Sequence, residues 1–326
     1  MGEFELLAKV RARLPQPGPQ VRLGSGDDAA ITVPGGATAT SVDALVDGVH
    51  FRREWSSPAQ IGHKALASAL SDLAAMGAEP GEAYVVLGVP TDLNEDDCLE
   101  LLDGIVELAA ASGTSLVGGD VTRAPALTVA MTVVGHAPEP EQMVARAGAR
   151  AGDVLALSGE IGGAVAGLLA LERPQLAAGV AAATAERLRA RQLEPRPRLA
   201  AGRALAGGGA TAMIDLSDGL GGDARHLAAA SGVGLQIEAD ALPLDLGVAE
   251  IAAAAGRDPL ELAAGGGEDY ELLVTLPGER FEAAAAAVSE SGTTLTRIGT
   301  VVAGEGVEIR LPGGALLEPA GFDQLS

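Results

Sequence analysis

Short runs rich in Val, Ile and Thr alternate along this chain with longer Ala- and Leu-rich runs whose apolar residues recur at helical spacing. The longer runs predict helices over residues 3–14, 58–77, 94–112, 161–171, 178–192, 219–231 and 279–291. The shorter runs predict strands over residues 38–43, 83–89, 126–135, 153–157, 211–216, 233–238, 270–276 and 296–302. Repeated alternation of the two element types predicts an α/β (α+β) fold.

Polar residues at two of the predicted helix starts support these assignments. Ser57 is placed to cap the helix that begins at Pro58, and Gly77 stands at its end. Asn94 is followed by three acidic residues, which the positive end of a helix dipole favours. Both helices therefore have start signals that are independent of their apolar pattern.

The chain is long enough for two domains of about 150 residues each. The best boundary is the stretch "HAPEPEQ" near residue 137, where two prolines and two acids follow a predicted strand. We therefore predict an N-terminal domain over residues 1–137 and a C-terminal domain over residues 138–326, each with its own strands and helices.

Composition and charge narrow the possible partners. Hydrophobic residues make up 48% of the chain but aromatic residues only 2%, so the cores must consist mainly of Ala, Val, Leu and Ile. A net charge of -22 with only two lysines argues against nucleic acid or an anionic membrane as a partner. The single cysteine, Cys98, excludes an internal disulfide, and no apolar run is long enough for a membrane span. These features predict a cytoplasmic protein.

Aspartates cluster where predicted elements end, mostly at strand ends and strand-to-helix turns, with Asp72 late in its helix. The residues concerned are Asp27, Asp28, Asp43, Asp72, Asp120, Asp215 and Asp218. Because ligands of α/β folds bind at such positions, these carboxylates predict a site for a hard cation. Oxygen ligands without a Cys/His set favour Mg²⁺ or Mn²⁺ over zinc. The chain has no P-loop and no protein-kinase motif set, so a nucleotide here would be held through metal ions and a few arginines.

Each of these residues also has a structural explanation. A single Asp beside Gly often only stabilises a turn, and Asp218 is placed to cap the helix near residue 219. Asp72 follows Ser68 and Lys64 at helical spacing, so the three residues could form a solvated polar stripe. A lone histidine such as His50 is more often structural than catalytic.

Seven motifs taken together resemble the thiamine-monophosphate kinase family. They are "GSGDDAAI", "SVDALVDGVHF", "GHKALASALSDLAAMGAEP", "VGGDVTR", "RAGARAGD", "MIDLSDGL" and "GGGEDYELL", in the family's order, and the resemblance extends over about residues 2 to 323. It implies a PurM-like two-domain fold, with an N-terminal domain that contributes to a dimeric β-barrel and a C-terminal α/β domain. It also implies direct transfer of a phosphoryl group from ATP to thiamine monophosphate, the last step of thiamine diphosphate biosynthesis.

The resemblance further assigns site residues. It implies that metal is bound by Asp27, Asp28, Ser41, Val42, Asp43, Asp72, Asp120, Asp215 and Asp218. Most members have Thr where this chain has Val42, and because valine has no side-chain oxygen, its ligand must be the backbone carbonyl. ATP would contact Gly119, Asp120, Arg146 and Ser217, and thiamine monophosphate would contact His50, Glu268 and Phe322. No general base is expected, and Asp72, Asp120 and Asp215 would act catalytically through several Mg²⁺ ions, with Mn²⁺ as a possible substitute. The expected partners are ATP, thiamine monophosphate and a second copy of the chain.

Two other hypotheses of function compete with the thiamine-monophosphate kinase hypothesis. The nearest is another ATP-dependent member of the superfamily, similar to aminoimidazole ribonucleotide synthase. Selenophosphate synthetase and the hydrogenase maturation factor HypE rely on cysteines near a chain terminus, whereas the cysteine here is Cys98. The second hypothesis is a protein that binds a nucleotide or a divalent cation without catalysis. Such a protein would not need residues that bind an acceptor.

Overall fold

The structure is a computed structural model that describes residues 3–25, 29–318 and 321, with side chains from residue 5 onward. Its internal contacts divide the chain into two compact units. The first comprises residues 1–73 and 78–140, and the second comprises residues 74–77 and 141–326. Each unit has its own sheet, so the two are described separately.

The N-terminal unit contains three main helices and a central sheet. Its helices are α1 (Glu3–Arg11), α2 (Pro58–Met76) and α3 (Glu95–Ser112). Its strands are β1 (Val21–Leu23), β2 (Ile31–Thr32), β3 (Ala37–Val46), β4 (Glu79–Val89), β5 (Ser115–Arg123) and β6 (Thr128–Ala137). The last turn of α2 groups with the second unit.

Four of these strands form one mixed sheet in the order β3-β6-β4-β5. The pairs β3/β6 and β6/β4 are antiparallel, whereas β4 and β5 are parallel and are connected through α3. A parallel pair needs such a crossover, because no tight turn can join the two strands. The strands β3 and β5 are the edges of this sheet in the described part of the chain.

Helix caps are built as the sequence predicted. The Ser57 hydroxyl accepts the Gln60 amide at 3.2 Å, and the Gln60 side chain accepts the Ser57 amide at 3.1 Å. Asn94 and Asp97 form the same reciprocal capping box at the start of α3. Helix α2 packs on the sheet through Leu73, whose side chain lies 3.1 Å from a Cβ built at Gly135 of β6, and burying a leucine side chain contributes about 2 kcal/mol.

The C-terminal unit contains more helices and a larger sheet. Its helices are α4 (Gly163–Glu172), α5 (Ala182–Leu193), α6 (Leu199–Gly208), α7 (Leu220–Ser231), α8 (Val248–Ala254), α9 (Pro259–Gly265) and α10 (Phe281–Glu290). Its strands are β7 (Val154–Ser158), β8 (Ala212–Asp215), β9 (Gly234–Glu238), β10 (Leu272–Leu276), β11 (Leu295–Val302), β12 (Gly306–Arg310) and β13 (Leu316–Leu317).

The seven-stranded sheet of this unit has the order β13-β12-β9-β11-β7-β10-β8. Its neighbouring strands are antiparallel except for the parallel pair β12/β9. The central strands β7 and β10 are buried along their whole length, which explains their continuous apolar sequences. Edge strand β8 ends at Asp215, so this sheet presents a carboxylate at one edge.

All predicted helices and strands are present, with shifts of a few residues at their ends. The sequence reading missed strands β1, β2, β5, β12 and β13 and helices α6, α8 and α9. Two expectations about position were wrong. Asp43 does not close its strand, since β3 continues to Val46, and Asp120 lies inside β5. Among the described residues, no helix is long and apolar enough to cross a membrane.

Candidate active site

The edge strand β3 carries two of the predicted metal ligands on one face. Burial alternates along this strand, so Ser41 and Asp43 lie on its half-buried face and Val42 lies on the opposite face, 67% exposed. The Ser41 hydroxyl donates to the carboxylate of Asp72 on α2. The fold therefore brings Ser41 and Asp72 together, and only the backbone of Val42 is available on this side of the strand.

Asp72 is the half-buried end of a row of polar side chains on α2. Lys64 and Ser68 are both 3% exposed, so they do not form the solvated stripe that the sequence reading considered. Lys64 donates to the backbone carbonyl of His50 at 3.0 Å. His50 lies just after β3, and its Nδ1 accepts the Val46 amide at 3.1 Å, which leaves Nε2 as the protonated nitrogen of the neutral ring. A buried lysine thus holds the turn that carries His50.

Gly119 and Asp120 lie on the other edge strand of the same sheet. Gly119 pairs with Val85, and a Cβ at Gly119 would lie 2.1 Å from the Val85 carbonyl oxygen, so strand pairing alone requires glycine there. Asp120 pairs with Val86, which is 46% exposed on the face of the sheet opposite Asp43. Three strand spacings, about 14 Å, separate the two edges. Within one chain, Asp120 and Asp43 therefore do not share an ion.

In the C-terminal unit, Asp215 ends β8, and the tight turn that follows carries Ser217 and Asp218. Asp215 is 3% exposed at the end of the strand, and the turn leads directly into α7. The N-cap residue of α7 is Gly219, not Asp218, and α7 has no side-chain cap hydrogen bond there. Gly219 has φ of 104°, a conformation that favours glycine and allows this turn.

A third carboxylate, Asp223, completes this acidic cluster. It is 2% exposed, and its carboxylate accepts the Asp218 amide at 3.1 Å. Burial, together with the charges of Asp215 and Asp218, raises the pKa of Asp223 to about 8, while that amide bond and Arg146 act in the opposite direction. Arg146, in the exposed segment before β7, thus lies within electrostatic reach of the cluster.

The loop of residues 265–271, called the GGGE loop below, packs against this turn. The Glu268 amide donates to the Ser217 carbonyl at 2.8 Å, and the Tyr270 amide donates to the Leu216 carbonyl at 2.9 Å. A Cβ at Gly267 would lie 2.5 Å from the Ser217 carbonyl oxygen. The glycines therefore permit backbone contact, which places Glu268 beside Ser217 and Asp218.

Two buried carboxylates anchor the GGGE loop. Asp269 accepts the amides of Gly162 at 2.7 Å and Ala164 at 3.1 Å, and so caps the start of α4 from a distance. Burial raises the pKa of Asp269 to about 7, against the lowering effects of Arg191 and those two amides. Glu271 is fully buried and accepts Arg198 Nε at 2.7 Å, Arg191 Nη2 at 3.1 Å and the Ser158 hydroxyl at 2.7 Å.

The donor set fits Mg²⁺ better than other common protein metals. Both acidic groups consist of carboxylate and hydroxyl oxygens, and no set of three His, Cys, Asp or Glu side chains in the described residues converges on a ready-made ion position. Mg²⁺ is usually held by one or two carboxylates together with water and substrate phosphates. The residues that would hold it are Ser41, Asp43 and Asp72 in one unit and Asp215 and Asp218 in the other, with Asp223 beside them.

Three predicted site residues, Asp27, Asp28 and Phe322, lie outside the described residues. Gly321 is described, and a Cβ there would lie 2.7 Å from Gly222 Cα at the start of α7. Sequence reasoning missed Asp223, Gln192 and the two arginines on Glu271. The motif "SDGLGGD" contains Asp223 five residues after Asp218, in the first turn of α7, and that proximity was the available signal.

Comparison with known proteins now separates the remaining possibilities. The model of the AIR synthase related protein N-terminal domain matches residues 26–137, and that of the C-terminal domain matches residues 150–312. A thiamine-monophosphate kinase of Mycobacterium tuberculosis is 40% identical over 280 residues, which cover 85% of this chain and 81% of the relative. The chain belongs to the thiamine-monophosphate kinase family.

Solved structures of this kinase family have the same fold. The thiamine-monophosphate kinase of Stenotrophomonas maltophilia superposes with a TM-score of 0.82 at 35% identity, covering 94% of each chain. A structure described as AaThiL complexed with AMPPCP and TMP has a TM-score of 0.76 at 32% identity, covering 87% of this chain and 86% of that one. The PurM-like two-domain fold expected from the sequence is thereby confirmed, whereas the dimeric barrel stays a prediction.

Proposed function

We propose that this protein uses ATP to phosphorylate thiamine monophosphate to thiamine diphosphate, the last step of thiamine diphosphate biosynthesis. The observation that carries the proposal is the contact between the Asp215–Asp218 turn and the GGGE loop. It sets carboxylates of the metal-binding type beside Glu268, a carboxylate suited to an acceptor, within one unit. A relative of the same fold binds an ATP analogue together with TMP.

We propose that each site binds several Mg²⁺ ions and that Mn²⁺ can replace them. Ser41, Asp43, Asp72, Asp215 and Asp218 are the proposed ligands in the described residues, and Asp120, Asp27, Asp28 and the Val42 carbonyl complete the set. When bound, Mg²⁺ would supply charge neutralisation between the two phosphate groups. Phosphoryl transfer of this kind depends mainly on positioning and electrostatics, which agrees with a site of few cations and many aspartates.

The acceptor needs no general base in this scheme. A phosphate monoester has a second pKa of about 6, so the acceptor is largely dianionic at neutral pH and can attack directly. Arg146 is the fixed cation beside the acidic cluster, and a guanidinium can bind phosphate oxygens through two parallel bonds. We therefore assign Arg146, Ser217, Gly119 and Asp120 to ATP and expect an in-line transfer.

The remaining proposed contacts concern the thiamine part of the acceptor. Glu268 is negatively charged and partly exposed, so it suits the cationic thiazolium ring or the aminopyrimidine. His50 is assigned to the acceptor phosphate, and its neutral ring carries the proton on Nε2 because Nδ1 accepts the Val46 amide. Phe322 is assigned to ring stacking from the sequence alone.

We also propose that the protein is a homodimer formed through the four-stranded sheet. The outer face of that sheet exposes Val42 by 67% and Val86 by 46%, and both edge strands lack a partner strand in the described chain. Two such sheets that close edge to edge would place β5 of one protomer near β3 of its partner. The cytoplasmic location stays a prediction.

An acceptor-selectivity assay tests this function. Purified protein, Mg²⁺ and ATP are incubated separately with thiamine monophosphate, with thiamine and with the substrate of aminoimidazole ribonucleotide synthase, and products are separated by chromatography. We expect thiamine diphosphate and ADP in equal amounts from the first reaction only. ADP formation with the third substrate would favour the synthase-like alternative. Binding of ATP without turnover of any acceptor would favour a non-catalytic binding protein.

A further inference from the structure

One side chain outside the motifs reaches the proposed acceptor carboxylate. Gln192, at the end of α5, is 6% exposed, and its amide nitrogen donates to Oε2 of Glu268. An ionised carboxylate only accepts hydrogen bonds, so the glutamine must present its NH₂ group. Sequence reading gave no reason to select Gln192, since it lies 76 residues from Glu268 in the chain.

Glu268 is held in a backbone conformation that a free loop would rarely adopt. Its φ is 66°, and Tyr270 has φ of 50°; these are the non-glycine residues of the described chain with positive φ. Such a conformation costs on the order of 1 kcal/mol and persists only where surrounding contacts impose it. Those contacts are the backbone hydrogen bonds to the Ser217 and Leu216 carbonyls, together with the hydrogen bonds of the buried Asp269 and Glu271 carboxylates. The direction in which the Glu268 side chain leaves the backbone is therefore fixed.

The helix that carries Gln192 is fixed to the same framework. Arg191, the preceding residue, donates to Glu271 at 3.1 Å and to the Glu160 carbonyl at 2.8 Å. Arg187, one turn earlier, binds the buried carboxylate of Asp245 and donates to the Leu246 carbonyl at 2.9 Å. Because these ion pairs hold α5 in place, Gln192 is a rigid donor with respect to the GGGE loop.

The chemistry of an amide donor suits this position. A lysine or arginine at 192 would also bind Glu268, but it would cancel the negative charge that a cationic acceptor ring requires. A neutral amide binds the Glu268 carboxylate without cancelling its negative charge. We propose that Gln192 is a positioning residue that orients the Glu268 carboxylate for the acceptor and thereby sets the affinity for thiamine monophosphate. The inference rests on the proposed function.

Steady-state kinetics of four variants test this role. Gln192→Met keeps the side-chain volume but removes the donor, and we expect a roughly tenfold higher KM for thiamine monophosphate, the effect of losing one hydrogen bond to a charged group. KM for ATP should stay within about twofold, and so should kcat. Gln192→Glu should raise KM for the acceptor further, because two carboxylates then face each other. The matched control is Gln236→Glu, which makes the same change beside Glu308, on strands remote from β8 in the sheet order.

The exchange variant Gln192→Glu/Glu268→Gln separates orientation from folding. It restores an amide-to-carboxylate hydrogen bond but moves the negative charge from residue 268 to residue 192. We expect a melting temperature near that of the wild type and a KM for thiamine monophosphate that remains raised. Recovery of the wild-type KM in this variant, or an equal rise of both KM values in Gln192→Met, would overturn the positioning role.

The activity of the wild-type protein shows whether a failure concerns the role of Gln192 or the proposed function itself. If the wild-type protein produces thiamine diphosphate but Gln192→Met has an unchanged KM for the acceptor, only the role of Gln192 is wrong. If the wild-type protein produces none, the proposed function fails, and the inference fails with it.

Discussion

At the scale of single residues, two aspartates in different units carry the largest expected effects. Asp72 accepts the Ser41 hydroxyl, and Asp215 ends strand β8 within the acidic cluster. We expect Asp72→Asn and Asp215→Asn each to lower kcat by at least about a hundredfold, because an amide is a poor ligand for Mg²⁺. Circular dichroism and thermal melting should remain close to wild type. Near-normal kcat in both variants would remove these residues from the metal site.

Asp223 gives the metal-free protein a predictable pH dependence. Its pKa is raised to about 8 in the folded protein, whereas an aspartate in the unfolded chain has a pKa of 3.8. Between these values the folded state holds a proton that the unfolded state has released, so stability falls as pH rises through this window and is constant above it. The contribution is on the order of 1 kcal/mol of unfolding free energy per pH unit.

Asp223→Asn tests this sign directly. The variant cannot titrate, so in EDTA its melting temperature should rise relative to wild type as the pH is increased from 5 to 8. Saturating Mg²⁺ should reduce the difference, because a bound cation favours ionised carboxylates. A difference between the two proteins that stays constant over this pH range in EDTA would contradict the raised pKa.

At the scale of elements, the GGGE loop depends on one close backbone contact. A Cβ at Gly267 would lie 2.5 Å from the Ser217 carbonyl oxygen, so Gly267→Ala must separate the loop from the turn. We expect a loss of about 1–3 kcal/mol of unfolding free energy and a higher KM for thiamine monophosphate. Gly207→Ala in α6 is the matched control, since no atom lies within 4 Å of a Cβ there. It should be neutral or slightly stabilising, as chemical denaturation would show.

Elements with a strong local sequence pattern could be predicted from the sequence, whereas β5, which has no such pattern, could not. Helices α2 and α3 have both apolar periodicity and caps, so their bounds differ from the predicted ones by a single residue at most. Strand β5 reads "SLVGGDVTR", in which two glycines interrupt the β-branched pattern. It forms because its neighbour β4 supplies a parallel ladder that skips only Val117, a tertiary contact that no local pattern contains.

The site could be predicted only in part for a related reason. Motifs identified the aspartates, since their spacing is local to each turn. The contacts that orient them cross large separations in the chain, such as 31 residues for Ser41 and Asp72 and 73 for Arg198 and Glu271. Asp43 and Asp120 lie on opposite edges of their sheet because of the strand order, which is not a local property of the sequence either.

At the scale of the whole molecule, the proposed homodimer predicts that light scattering gives about twice the 32.4 kDa mass of one chain. Val42→Asp and Val86→Asp place a charge on the exposed outer face of the four-stranded sheet, so we expect each to shift the measured mass toward that of a monomer. Leu246→Asp, at a similarly exposed position in the C-terminal unit, is the matched control and should leave the mass unchanged. A monomeric wild-type protein would contradict the dimer itself.

The central claim is that the γ-phosphoryl group of ATP passes directly to thiamine monophosphate. The most direct test supplies ATP labelled in its γ-phosphate to enzyme, Mg²⁺ and thiamine monophosphate in a single turnover, followed by rapid quenching. We predict label in the terminal phosphate of thiamine diphosphate, unlabelled ADP and no labelled protein at any time. Thiamine diphosphate without the label, or no thiamine diphosphate at all, would contradict the account.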